Sequence, residues 1–141
     1  MKRIFLWGTL IALLGMVVVS LQTNAQVKKG KERPLKTRHL MAGLVAPSNT
    51  ALGKALQGDG PADEKAWDTA LQNAELLNES AYIMMADGRC PDDVWAEATK
   101  VLRENSAAVI RALEKKDLSA AQTAYGEMTR SCAQCHRAHK K

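Results

Sequence analysis

Aromatic side chains are scarce in this chain, with one Phe, two Tyr and three Trp among 141 residues. Sheets are built from aromatic and β-branched residues that pack well on a pleated surface, so this composition argues against a sheet core. Other absences exclude whole classes of function. No Ser/His/Asp arrangement, paired-carboxylate site or phosphate-binding glycine loop is present to argue for enzymatic catalysis. No internal repeat and no low-complexity segment occurs, which leaves a single domain with one hydrophobic core as the expectation for this length. The basic excess is small: without Lys2 and Arg3 the formal charge is +3, too weak a field to argue nucleic-acid binding.

What is plentiful is Ala, Leu, Met and charge of both signs, the residues that helices favour. The first segment, however, reads as an address. Lys2 and Arg3 precede an apolar run from Ile4 to Ser20, and Gln22-Thr23-Asn24-Ala25 forms a polar end closed by a small residue. This pattern predicts a signal peptide over 1–25, cleaved before Gln26, and hence a periplasmic domain. An uncleaved anchor helix is the competing reading, because the run is at the short edge of what spans a bilayer. No Cys follows the run, which excludes a lipid anchor there. Lys28, Lys29, Lys31, Arg33, Lys36 and Arg38 make a basic cluster, read over 26–33 as a solvated, flexible arm.

The remaining residues, 34–141, predict four amphipathic helices joined by short connections. The first is expected over about 34–57, with Met41, Leu44, Val45, Leu52 and Leu56 on one face and a kink or interruption near Ala46 imposed by Pro47. Gln57-Gly58-Asp59-Gly60-Pro61 breaks the chain. The second is expected over about 61–86, placing Trp67, Ala70, Leu71, Ala74, Leu77, Ala81 and Met84 at spacings of three and four until Asp87-Gly88 ends it. The third begins at Pro91 with Asp92 and Asp93 in its first turn, and its apolar stripe is Val94, Ala98, Val101, Leu102, Ala108, Val109, Ala112 and Leu113. Asp117 is the expected N-cap of the fourth, where Leu118, Ala121, Tyr125, Met128, Cys132 and Cys135 form a seven-residue repeat. Short loops make sequential helices antiparallel neighbours, so the expected fold class is all-α, an antiparallel up-down-up-down four-helix bundle, with a looser helical array as the alternative.

The fourth helix ends in Cys132-Ala133-Gln134-Cys135-His136. Covalent attachment of haem needs two thiols at fixed separation, one for each vinyl group, and an imidazole beside the second that reaches the iron. On a helix the three side chains stand at i, i+3 and i+4 and leave from one face. Cys132 and Cys135 are therefore the expected attachment points of one haem c, and His136 an axial iron ligand. Three other readings compete: a Cys132–Cys135 disulfide, a thiol redox pair, and a zinc site that adds His139 and Cys90 to the two cysteines. The redox pair belongs with a βαβ context that this sequence lacks.

With these residues in view, the chain resembles the class II cytochromes c, the family of cytochrome c′ and its low-spin relatives. The resemblance rests on a Cys-x-x-Cys-His in the last of four helices and on Lys116-Asp117-Leu118, Tyr125-Gly126-Glu127 and Ser131 through Lys141. Lys140 keeps a basic residue the family usually has; His139 stands where the family usually has an aromatic. The resemblance implies an electron carrier with redox partner proteins, or a five-coordinate protein that binds nitric oxide or carbon monoxide. It also implies an Arg and a distal-face residue in the first helix; Arg38, for a haem propionate, and Met41 are the candidates, three residues apart where the family has four.

Bundle geometry places the haem at the level of the start of helix one, the end of helix two and the start of helix three. The expected walls are Met41, Leu44, Val45, Ala81, Met84, Met85, Val94, Trp95 and Met128. Met41 is the leading candidate for a sixth iron ligand, ahead of Met84, Met85 and His39, although methionine is more often a flexible core filler. Cys90, at the same end, is left as an odd thiol: a partly buried small hydrophobe, or the site of an intermolecular disulfide joining a homodimer.

Overall fold

A computed structural model describes residues 34–86 and 88–140. The expected signal peptide (1–25) and basic arm (26–33) lie outside the described residues. Every regular element among the described residues is helical. The first arm, α1, runs without a break through Thr37–Leu40, a π-helical turn Met41–Val45, and Ala46–Ala55. It is followed by α2 (Glu64–Met85), α3 (Asp93–Glu114) and α4 (Leu118–His139).

The interruption that Pro47 imposes is a widened turn rather than a kink at Ala46. Proline lacks an N–H, and its ring strikes the carbonyl four residues back. The chain answers by loosening the turn just before it, where the Ala46 N–H bonds to Met41 O, five residues earlier, while Leu40, Met41, Val45 and Ala46 keep right-handed helical angles. The other three helices start at aspartate caps. Asp63 Oδ1 accepts from the Ala66 N–H at 2.7 Å, Asp92 Oδ1 from Trp95 at 2.9 Å and Asp117 Oδ1 from Ala120 at 3.0 Å. Each cap satisfies an otherwise orphaned donor and is worth about 1 kcal/mol. Asp92 is thus a cap rather than a first-turn residue, and α2 starts at Glu64 rather than at Pro61.

α3 ends in the left-handed residue Lys116 (φ 55°), with Asp117 N–H bonded to Ala112 O and Lys116 N–H to Leu113 O, both at 2.9 Å. This is the usual helix-ending pair of bonds, made here without glycine.

The helices pack together in sequence, α1 on α2, α2 on α3 and α3 on α4, whereas α1 and α4 meet sparsely. Leu40, Leu52, Leu77, Val109 and Met128 are fully buried between them. The α3 stripe begins at Trp95, which is buried, and not at Val94, which is 42% exposed. The buried face also includes serine and threonine, namely Ser48, Ser80, Thr99, Ser106 and Ser131. Ser80, Ser106 and Ser131 each return their hydroxyl proton to a carbonyl of their own helix, three residues back, so these three donors are satisfied.

Polar ties cross between elements at both ends. Arg89, after α2, donates to Leu35 O and to Thr37 Oγ1 at the start of α1. Lys116, after α3, pairs with Glu64 at the start of α2. Gln122 Nε2 donates to Leu56 O at 2.8 Å and the Tyr125 hydroxyl to Asn49 O at 3.1 Å, joining α4 to α1. At that crossing Gly53 makes room for the Tyr125 hydroxyl, which a Cβ there would displace. No helix among the described residues is long and apolar enough to cross a membrane.

Candidate functional site

The seven-residue repeat of α4 carries its inner face through Ala121, buried, and Met128, buried, to the half-buried Cys132 and Cys135. Ser131 is buried beside them, and His136 comes one residue later on the outer edge. The Cys132 thiol points back along its own helix, with Sγ 3.9 Å from Met128 O.

These side chains line a cleft. Ser131, Cys132, Cys135 and His136 form its α4 wall, Met41 and Val45 its α1 wall, and Met84 closes it from α2. Ala98, Thr99 and Leu102 of α3 make up the rest. The lining is almost wholly apolar. The free volume is about 40 Å³, which is water-sized space and far short of a porphyrin, so a macrocycle enters only if the walls part. The π-helical turn of α1 spans Met41 to Val45, so the widened backbone and the α1 wall coincide.

Of the residues singled out from sequence, Met41, Met84, Cys132, Cys135 and His136 are gathered on one cleft. Met85 is turned away and lines a separate surface groove with Glu97, Lys100 and Arg103. His39 and Arg38 are exposed, and the Arg38 Nε donates to His39 Nε2 at 3.3 Å. Leu44, Ala81, Val94, Trp95 and Met128 do not line the cleft. The true α3 wall sits one turn further along the helix than the expected Val94 and Trp95. Ala98 and Leu102 were legible as stripe residues; Thr99 and Ser131 were not, because a hydroxyl on a helix carries no apolar signal.

Burial pushes the Cys132 thiol above its usual value, against opposing hydrogen bonds from Ser131 and its own backbone. Cys135 is also raised, by burial first and then by the neighbouring Cys132 and the Asp92 carboxylate. Tyr125 is raised by burial and by Cys132, with Asn49 opposing. All three cysteines are free thiols. Reactive thiol pairs work as thiolates held by lowered pKa values, whereas burial here favours the neutral thiols. The zinc candidates are not assembled either, since no group of three or more His, Cys, Asp and Glu side chains close enough to hold a metal ion occurs among the described residues. Cys90 packs against the core with Sγ 3.4 Å from Asp92 O.

The donor set fits a haem. Two neutral thiols at i and i+3, an imidazole at i+4 and an apolar lining are the features such a group needs, and Met41 and Met84 share that lining. The chain matches no protein-family model, no curated protein and no solved structure.

Proposed function

We propose that the chain is an exported c-type cytochrome of the class II type that carries electrons between redox partner proteins in the periplasm. The fold this implies is an antiparallel up-down-up-down four-helix bundle with one haem c at one end. The ties between Arg89 and Leu35, Lys116 and Glu64, and Gln122 and Leu56 support that topology, because each joins the end region of one helix to the start region of another in the order it requires.

One observation carries the functional reading. Cys132, Cys135 and His136 share an apolar cleft with Met41 and Met84, from two other helices. In this reading Cys132 and Cys135 would hold the haem covalently, His136 would bind its iron, and Met41 stands as the candidate for a second iron ligand. Arg38, exposed at the start of α1, is kept for a propionate. Haem bound there would supply a one-electron couple, and the chain's own residues exclude water and fix orientation around it. A sulfur ligand opposite histidine suits electron transfer.

A second reading is favoured by the aliphatic walls Val45, Ala98 and Leu102. If neither methionine binds iron, the same cleft would offer an open face to nitric oxide or carbon monoxide.

The deciding experiment is expression of the whole chain with a c-type maturation system. The expected product keeps its colour through denaturation and acid–acetone extraction, and its mass exceeds that of the polypeptide by one haem. Colour that extracts, or a mass without haem, sinks the proposal. Oxidised and reduced visible spectra then separate the two readings, low-spin for the carrier and high-spin with immediate carbon monoxide uptake for the gas binder.

A further inference from the structure

We infer that His139 is a positioning residue that fixes the last turn of α4, and with it His136, by bracing against the start of α3. The inference rests on the proposed ligand role of His136. That residue sits in the final turn of its helix, where the ladder of backbone bonds runs out and helices fray. Around it Arg137, Ala138 and Lys140 are exposed, but His139 is not, keeping only 22% of its side-chain surface.

The His139 ring meets the buried Trp95 edge-on, with centroids 5.4 Å apart and planes at 73°. Its Nε2 lies 3.4 Å from Asp92 Oδ1, near enough for charge attraction but not aligned as a hydrogen bond. The ring contact is therefore the stronger hold. Trp95 is itself immobilised twice, its backbone N–H capped by Asp92 Oδ1 and its Nε1–H donated to Met84 O at 2.9 Å. Met84 lines the cleft across from His136. One bracket thus holds both the turn that bears the imidazole and the backbone that bears Met84.

The test uses the matured full-length protein and the variants His139→Ala and His139→Phe. Phenylalanine keeps an edge-on ring for Trp95 and discards Nε2. In the Ala variant, amide exchange over residues 137–140, read by mass spectrometry, should speed up about tenfold, and in the Phe variant it should return to the wild-type rate. In a urea titration of the wild type, loss of the iron–histidine absorption signature should coincide with loss of helix dichroism. In the Ala variant it should come first, at lower urea. Transitions that shift together in the Ala variant overturn the positioning role, because they report global stability alone. An Ala variant with unchanged exchange overturns the brace itself. A protein whose mass lacks haem defeats the proposed function, and the exchange comparison still decides whether His139 holds the turn.

Discussion

At the scale of single residues, Met41 decides between the two haem readings. It begins the π-helical turn, is half-buried, and lines the cleft with the α4 motif. If its sulfur binds iron, Met41→Ala should convert a low-spin spectrum to high-spin, open the site to carbon monoxide and lower the reduction potential, because a methionine ligand raises it. A low-spin spectrum that survives the substitution points to Met84 instead, tested by Met84→Ala. The thiols make a second prediction. Cys132 and Cys135 are both raised by burial, so the fold favours their neutral forms, and an unfolded thiol ionises first, from about pH 8.5 upward. The stability they contribute is present below that pH and is lost as pH rises through the folded values. The chain before haem attachment should show urea midpoints that fall between pH 8 and pH 10. Once the sulfurs are thioethers they no longer titrate, and the fall should shrink to what Tyr125 contributes at higher pH. That the motif residues and Met41 share one cleft was legible, because the seven-residue repeat of α4 and the apolar stripe of α1 place them on inner faces. Met85 misled for the opposite reason, since adjacent positions on a helix point about 100° apart and a run of two methionines does not say which faces inward.

At the scale of elements, Pro47 was legible as a break but the form of the break was not. A missing N–H and a ring clash state that a normal turn cannot be made; whether the chain bends, stops or widens depends on what the neighbouring helix accommodates. Here it widens, and Met41–Val45 keep their place against α2. Pro47→Ala restores the N–H and lets the turn close to α-helical register, which would rotate the residues before it by about 100°. The variant should therefore lose melting temperature, as Leu40 leaves its buried place, together with whatever spectral signature depends on Met41. If the signature is retained, the π turn is held by packing rather than by the proline. The stripe of α3 was misplaced by one residue at its start. Val94 is more apolar than its position needs, and Trp95 wins the buried place because its ring fills it while Nε1–H finds Met84 O.

At the scale of the whole molecule, α3 is the centre and α1 the edge. α3 packs on α2 along one side and on α4 along the other, whereas α1 leans on α2 and touches α4 sparsely. Amide exchange in the full chain should accordingly be slowest in the middle of α3, around Leu102 to Val109, and fastest among the helices in α1. Uniform protection across all four would mean that the α1–α4 seam is tighter than its contacts suggest. Tyr125→Phe should weaken that seam by about 1 kcal/mol in urea titration, through loss of the bond to Asn49 O, without disturbing the motif about two turns beyond. The helical class and the order of the helices followed from composition and periodicity; the unequal seams did not, because they depend on side-chain fits between helices, such as the Tyr125 hydroxyl seated against Gly53, that periodicity does not encode. The loop after α2 has one more consequence. Arg89 grips Leu35, near the first described residue, and Asp92 faces His139, near the last. Both ends of the domain therefore arrive at the same few residues, and a short linker could join them. A circularly permuted chain opened at the exposed Gly58-Asp59 turn would keep every helix whole and should still fold and mature.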